Sequence, residues 1–172
     1  MTPGAKSKPA EIRRRRKQRA SPCFRHIIVA PLWVAYEANL GTLLRTCDAV
    51  GACIALPNTP HYRQALDRGD TLPRRPHIHW LTGSKLDWII EERAIGSCIL
   101  AVELADDALP LTMLRPASSR TVILLGHERS GVPEEAWTLI DQMVEIPMIG
   151  VGSSLNVAVA GSLVLYRLSG LS

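Results

Sequence analysis

The sequence predicts a doubly wound α/β fold, a mostly parallel sheet with helices on both faces. Three observations carry this. Short, unbroken apolar runs recur at residues 26–30, 53–56, 98–102 and 121–125, and such runs suit strands buried on both faces. Segments of helical spacing lie between them. Glycine or proline marks most junctions. Strands alternating with helices indicate parallel pairing.

The elements follow in order. Residues 26–30 form a strand ended by Pro31. Residues 39–50 form a helix in which Leu40, Leu43, Leu44, Cys47 and Val50 share a face, and Gly51 stands at the C′ position. Residues 53–56 are the next strand, ended by Pro57-Asn58. Residues 57–76, rich in Pro, Arg and Asp, read as a long surface excursion. Residues 77–80 alternate as a strand does; His77 and His79 share one side of it, but no third metal ligand accompanies them. Residues 86–95 form a helix capped by Gly96. Residues 98–102 are a strand, and 109–116 a proline-bounded connection. Residues 121–125 are the clearest buried strand. Pro133 opens a helix with Glu134 and Glu135 at its positive end. Residues 143–146 are a last strand and 154–168 a last helix. That helix is apolar nearly all round: Leu155, Val159, Leu163 and Tyr166 make a stripe, Ala158 and Gly161 a flatter face. Such a helix is central or part of an interface.

The chain has 172 residues, enough for one domain, and is 47% apolar with one Phe, four Trp and three Tyr. The core is therefore aliphatic. No apolar run reaches the length of a spanning helix, and no signal-peptide stretch follows the basic N-terminus. A soluble, cytoplasmic protein with no membrane partner is expected. Cys23, Cys47, Cys53 and Cys98 show no metal-ligand spacing, so reduced thiols and no metal are expected. The net charge of +4 is uneven. Residues 1–26 hold nine Lys or Arg against Glu11, a balance of +8; the rest hold eleven basic and fifteen acidic groups, a balance of −4. Residues 1–25 thus read as a disordered basic tail before a domain at 26–172. Within it Arg13, Arg14, Arg15, Arg16 and Lys17 suit a phosphate-binding arm.

Three segments carry polar groups that a plain core does not need. Asn39 and Arg45 lie near a helix start, where an Arg fork suits phosphate or carboxylate. Residues 126–131, Gly-His-Glu-Arg-Ser-Gly, form a glycine-bounded turn after a strand, without Walker or dinucleotide-binding spacing. Residues 146–148, Ile-Pro-Met, leave a strand; Gly150 and Gly152 make an irregular loop; Ser154-Leu155-Asn156 opens the last helix. Loop N–H and C=O groups of this kind can hold an adenine edge and a ribose. Ser154 as N-cap accounts for Ser154 but not for Asn156.

In this order the segments resemble the SpoU-type (TrmH-like) RNA ribose 2′-O-methyltransferases of the SPOUT superfamily. The matching residues are Asn39, Gly41, Arg45, Gly51, Gly126, Glu128, Gly131, Ile146, Pro147, Met148, Ser154, Leu155 and Asn156, and the likeness covers residues 26–170. Residues 44–51 look most like the branch that methylates a guanosine ribose in tRNA.

The resemblance implies a C-terminal deep trefoil knot, S-adenosylmethionine as cofactor, an RNA substrate (tRNA or rRNA) and a homodimer. Gly126, Ile146, Met148 and Leu155 would line the cofactor pocket. Arg45 would act at the ribose, either as base or as phosphate clamp, positioned with Asn39, Glu128, Ser154 and Asn156. An arginine pKa above about 12 makes it a poor base. The chain departs from many relatives at Tyr36-Glu37-Ala38. No separate RNA-binding domain is expected, so target choice would fall to the basic tail, residues 57–76 or another protein. A non-catalytic RNA-binding relative and an unrelated nucleotide-binding α/β protein are the alternatives.

Overall fold

The structure, a computed structural model, describes Lys8, Glu11, residues 26–69, Leu72, residues 75–152 and residues 154–171. The phosphate-arm residues Arg13–Lys17 lie outside these. Among the described residues seven strands form one sheet: β1 Ile27–Ala30, β2 Cys53–Pro57, β3 Ile78–Leu81, β4 Cys98–Val102, β5 Leu109–Pro110, β6 Thr121–Leu124 and β7 Gln142–Glu145. Their order is β3-β2-β1-β6-β4-β7-β5, and every pairing is parallel. The chain leaves β4 for the edge strand β5, returns to insert β6 between β1 and β4, then goes out again to β7. The helices are α1 Glu37–Val50, α2 Pro60–Gly69, α3 Lys85–Ala94, α4 Glu134–Trp137 and α5 Val157–Leu168.

Alternate residues of each strand serve opposite faces, as the pleat requires. Ile27, Val29, Ile54, Leu56 and Ile123 join Leu40, Leu43 and Leu44 of α1, Tyr62, Ala65 and Leu66 of α2, and Val164 and Leu165 of α5. Ile28, Ala30, Cys53, Ala55, Val122 and Leu124 face Ile89 of α3 and Ala136 of α4. Each fully buried Leu or Ile contributes about 2 kcal/mol, so mainly aliphatic packing holds the sheet on both faces, with Tyr62 a buried aromatic on one of them.

Four expectations need correction. Residues 57–76 are not merely a surface excursion, because α2 occupies Pro60–Gly69; its buried Tyr62, Ala65 and Leu66 make one turn of apolar spacing, hidden among charges. The connection at 109–116 contains β5 and a 3₁₀ turn at Leu111–Met113. The helix read from Asn39 starts at Glu37, with Tyr36 as N-cap. The helix read from Ser154 starts at Val157; its N-cap is Asn156, whose Oδ1 accepts from Ala158 N and Val159 N. Short polar side chains compete for that role, and Asn156 is the one placed to reach two orphan N–H groups. The flatter face of α5, Ala158 and Gly161, packs inward, whereas Val159, Leu163 and Tyr166 stay exposed. Gly51 does cap α1, with φ 75°.

Candidate functional site

A cavity of about 670 Å³ opens at the carboxyl ends of β4, β6 and β7, the edge where parallel sheets bind ligands. Gly126, Ile146, Met148 and Leu155 line it, together with Glu128 and Ser154. Its floor comes from residues that follow strands: Glu103 after β4, Leu125 and Gly126 after β6, Ile146 after β7. The wall at Gly126–Gly131 is a closed turn. His127 N donates to Gly131 O and Gly131 N to His127 O, both at 2.9 Å. A Cβ at Gly126 would run into the backbone of Gly131 and Val132. Gly131 has φ +69°, which only glycine adopts cheaply.

Beside the cavity, a carboxylate and two side-chain amides join all three polar segments. Glu128 Oε1 accepts from Asn39 Nδ2 at 2.7 Å and from Tyr36 N at 3.1 Å; its Oε2 accepts from Ala35 N at 3.0 Å. Asn39 Oδ1 accepts from Asn156 Nδ2 at 2.9 Å. Asn156 Oδ1 in turn caps α5. Burial pushes the Glu128 carboxyl up, but the hydrogen bonds from Ala35, Tyr36 and Asn39 outweigh it and hold the group below the usual carboxylate range. Glu128 is therefore an anchored carboxylate and not a proton donor at neutral pH.

The structure does not bring every expected residue into this relay. Arg45 projects from α1 as an exposed side chain, and no hydrogen bond or ion pair links it to another described residue. Ser154 is exposed at the cavity rim and makes no hydrogen bond with a described residue. Cys47, two residues from Arg45, is fully buried. The rings of His77 and His79 meet edge to face at 4.5 Å, far from the cavity along the sheet.

Two contributors carry little sign of their role in the sequence. Glu103 lines the cavity and its Oε2 accepts from Val132 N at 3.0 Å, fastening the glycine turn to β4. An acid just after an apolar strand is the only signal for it. Tyr62 on α2 is buried, and its hydroxyl lies 2.9 Å from Leu32 O and 3.2 Å from both Pro31 O and Val34 O. It holds the loop that runs to Ala35 and Tyr36. Burial and the nearby Glu128 charge push its phenol up to about 12, so it stays a donor.

The cavity fits a cationic, partly apolar ligand. Glu103, Glu128 and Glu145 face it against Arg129, while Leu125, Val144, Ile146 and Leu155 give it an apolar wall.

Comparison with known proteins gives three findings. The family model of the SpoU rRNA Methylase family matches residues 26–166. A tRNA (guanosine(18)-2′-O)-methyltransferase of Escherichia coli K12 is 34% identical over 133 residues, which is 75% of this chain and 56% of that protein. The chain thus spans just over half the length of that relative. Among solved structures, an AdoMet-bound rRNA methyltransferase from Sinorhizobium meliloti is 28% identical with a TM-score of 0.71, over 84% of this chain and 56% of the other. An Aquifex aeolicus TrmH/SpoU tRNA modifying enzyme, 23% identical, shares the fold with a TM-score of 0.73 over 94% of this chain and 82% of its own.

Proposed function

The chain belongs to the SpoU rRNA Methylase family, and we propose that it transfers a methyl group from S-adenosylmethionine to a ribose 2′-hydroxyl of RNA. The observation that carries this is the amide relay Glu128–Asn39–Asn156, which ties the cavity wall to the helix that bears Arg45. The E. coli relative's name points to a guanosine of tRNA, and tRNA is the substrate class we favour; the S. meliloti protein is named for rRNA.

Gly126, Ile146, Met148 and Leu155 would hold the cofactor, with the carboxylates of the cavity matching its positive charge. Bound there, S-adenosylmethionine supplies a methyl group already activated on a sulfonium. What remains for the protein is the nucleophile. A sugar hydroxyl is scarcely ionised at neutral pH, so it must be oriented and its developing negative charge stabilised. Arg45 suits the second of these needs, because it is exposed, unengaged by described residues, and carries a fixed planar charge. We assign it the clamp on phosphate and nascent alkoxide. Asn39 and Asn156 fix the relay that sets α1 against α5. Ser154, at the rim, is free to meet the ribose.

A homodimer is supported by the exposed stripe Leu155, Val159, Leu163 and Tyr166, each 39–46% exposed. The insertion of β6 between β1 and β4, with β7 beyond β4, supports the family's C-terminal knot. The basic tail would serve as a phosphate arm. A cytoplasmic location fits the RNA substrate proposed here.

The test is incubation of the full chain with methyl-labelled S-adenosylmethionine and total tRNA or rRNA, then nucleoside analysis. Label on a ribose 2′-oxygen is expected. No label in either pool, with cofactor still bound, would sink the enzymatic reading in favour of a non-catalytic RNA-binding protein.

A further inference from the structure

We propose that Tyr36 is a stacking platform for a nucleobase of the substrate RNA. The inference rests on the RNA function proposed above and adds a residue that none of the three polar segments contains. Tyr36 is 53% exposed although its backbone is bonded to Glu128, a residue of the cavity wall, and its hydroxyl makes no hydrogen bond with a described residue. A large ring left open to water in this way loses the burial that a core position would give it.

The mount under the ring is rigid. Tyr36 N donates to Glu128 Oε1 at 3.1 Å, and Tyr36 O accepts from Asn39 N at 3.0 Å. The preceding residue is held as well, since Ala35 N donates to Glu128 Oε2 at 3.0 Å. Further back, the Tyr62 hydroxyl lies against the carbonyls of Pro31, Leu32 and Val34. The backbone of Tyr36 is thus fixed by two of the three relay residues, Glu128 and Asn39. Only two side-chain torsions remain to be ordered when a base arrives.

The electrostatics agree with an anionic polymer. The acid next to the ring, Glu37, is engaged by Arg68 at 3.1 Å, so its charge is offset where a phosphate backbone would pass. Tyr36 caps the helix on which Arg45 lies nine residues on, about 14 Å along the axis and about two and a half turns round it, so the ring and the guanidinium lie on opposite sides of α1 and would meet separate parts of the RNA, a base and a phosphate.

The test compares Tyr36→Ala, Tyr36→Phe and Tyr36→Trp in the full chain. A total tRNA pool is titrated at two salt concentrations, S-adenosylmethionine affinity is measured by calorimetry, and sedimentation reports the oligomer. Tyr36→Ala is expected to weaken tRNA binding on the order of tenfold, with an unchanged salt slope and unchanged cofactor affinity. Phe and Trp should restore binding to within about threefold, because both keep a π-face. The proposal is overturned if Ala binds tRNA as wild type does, if Phe is as weak as Ala, or if Ala shifts the sedimentation to a smaller species, which would make Tyr36 a subunit contact. Wild-type protein that neither binds nor methylates RNA would sink the underlying RNA function; active wild type with an equally active Ala variant would sink only the platform.

Discussion

Asn156 Nδ2 donates to Asn39 Oδ1 at 2.9 Å across 117 positions of sequence. Because Asn39 Nδ2 is committed to Glu128, the orientation of the Asn39 amide is fixed from both ends. An acid there would put an acceptor where a donor is required. Asn39→Asp should therefore slow single-turnover methyl transfer more than Asn39→Ala, by about tenfold. The two facing carboxyls would share a proton at low pH, so the Asp variant should recover relative to Ala as pH falls towards 5, whereas transfer by Ala should show no such recovery. Equal, pH-independent losses would show that the amide's polarity is irrelevant.

The glycine turn makes a separate claim about the cofactor. Gly126→Ala drives a Cβ into backbone, which cannot swing away as a side chain can. Cofactor affinity should fall by tenfold or more, about 1.4 kcal/mol, with the far-ultraviolet circular dichroism unchanged. Gly131→Ala should be milder for packing, since the nearest atoms its Cβ would meet belong to the Glu103 side chain and not to backbone, but it displaces the Glu103 bond to Val132 N and carries the cost of φ +69°, about 1 kcal/mol. Calorimetric titration of both variants checks the ranking; a Gly126→Ala protein that binds normally would contradict the turn as the cofactor wall.

How much of this was legible in the sequence depends on the kind of signal. The central strands were plain, because a strand buried on both faces has no choice but to be apolar at every position, as Ile27–Ala30 is. Helix α2 was not: its periodic signal is only Tyr62, Ala65 and Leu66, set among Arg, Asp and Pro. The polar segments were legible as a set, yet the role of each amide was not. Asn39, read as the first residue of a helix, is a bridge inside the first turn; Asn156, which looked surplus, is the cap. Capping depends on which residue first leaves helical geometry, and residue type alone does not decide that. Tyr62 and Glu103 act through contacts 28 to 31 residues away, beyond any local pattern.

Stability should fall with acid in two steps. Burial, then the charges of His77 and Arg120, hold the His79 imidazole below its ordinary value, with Glu92 opposing; its Nε2 is buried without a partner among the described residues. A group with a lowered folded pKa stabilises above its unfolded pKa, about 6.5 for His, and that contribution is lost as pH drops through the folded value. Glu92 is raised by burial but lowered more by Arg120 and Ser97, and Glu128 is lowered likewise; their contribution is lost below about pH 4. Urea midpoints from pH 8 to pH 3 should show both falls. His79→Phe should remove the upper one and keep the lower; an unchanged slope between pH 7 and pH 5 would contradict this assignment.

The basic tail is tested by deletion of residues 1–20, which removes eight of the chain's 20 Lys and Arg. RNA binding should weaken and its salt dependence flatten, by close to one unit of slope per lost phosphate contact. Filter binding at graded salt measures this, and an unchanged slope would rule the tail out as an arm.

The central claim is a division of labour across the relay, in which the cavity holds the cofactor and Arg45 serves the ribose. The most direct measurement is Arg45→Ala, assayed in one preparation for S-adenosylmethionine affinity and for single-turnover transfer to tRNA. Transfer should fall by at least a hundredfold, about 2.7 kcal/mol of lost transition-state stabilisation, with cofactor affinity within about twofold of wild type. Parallel loss of both, or undiminished transfer, would contradict the account.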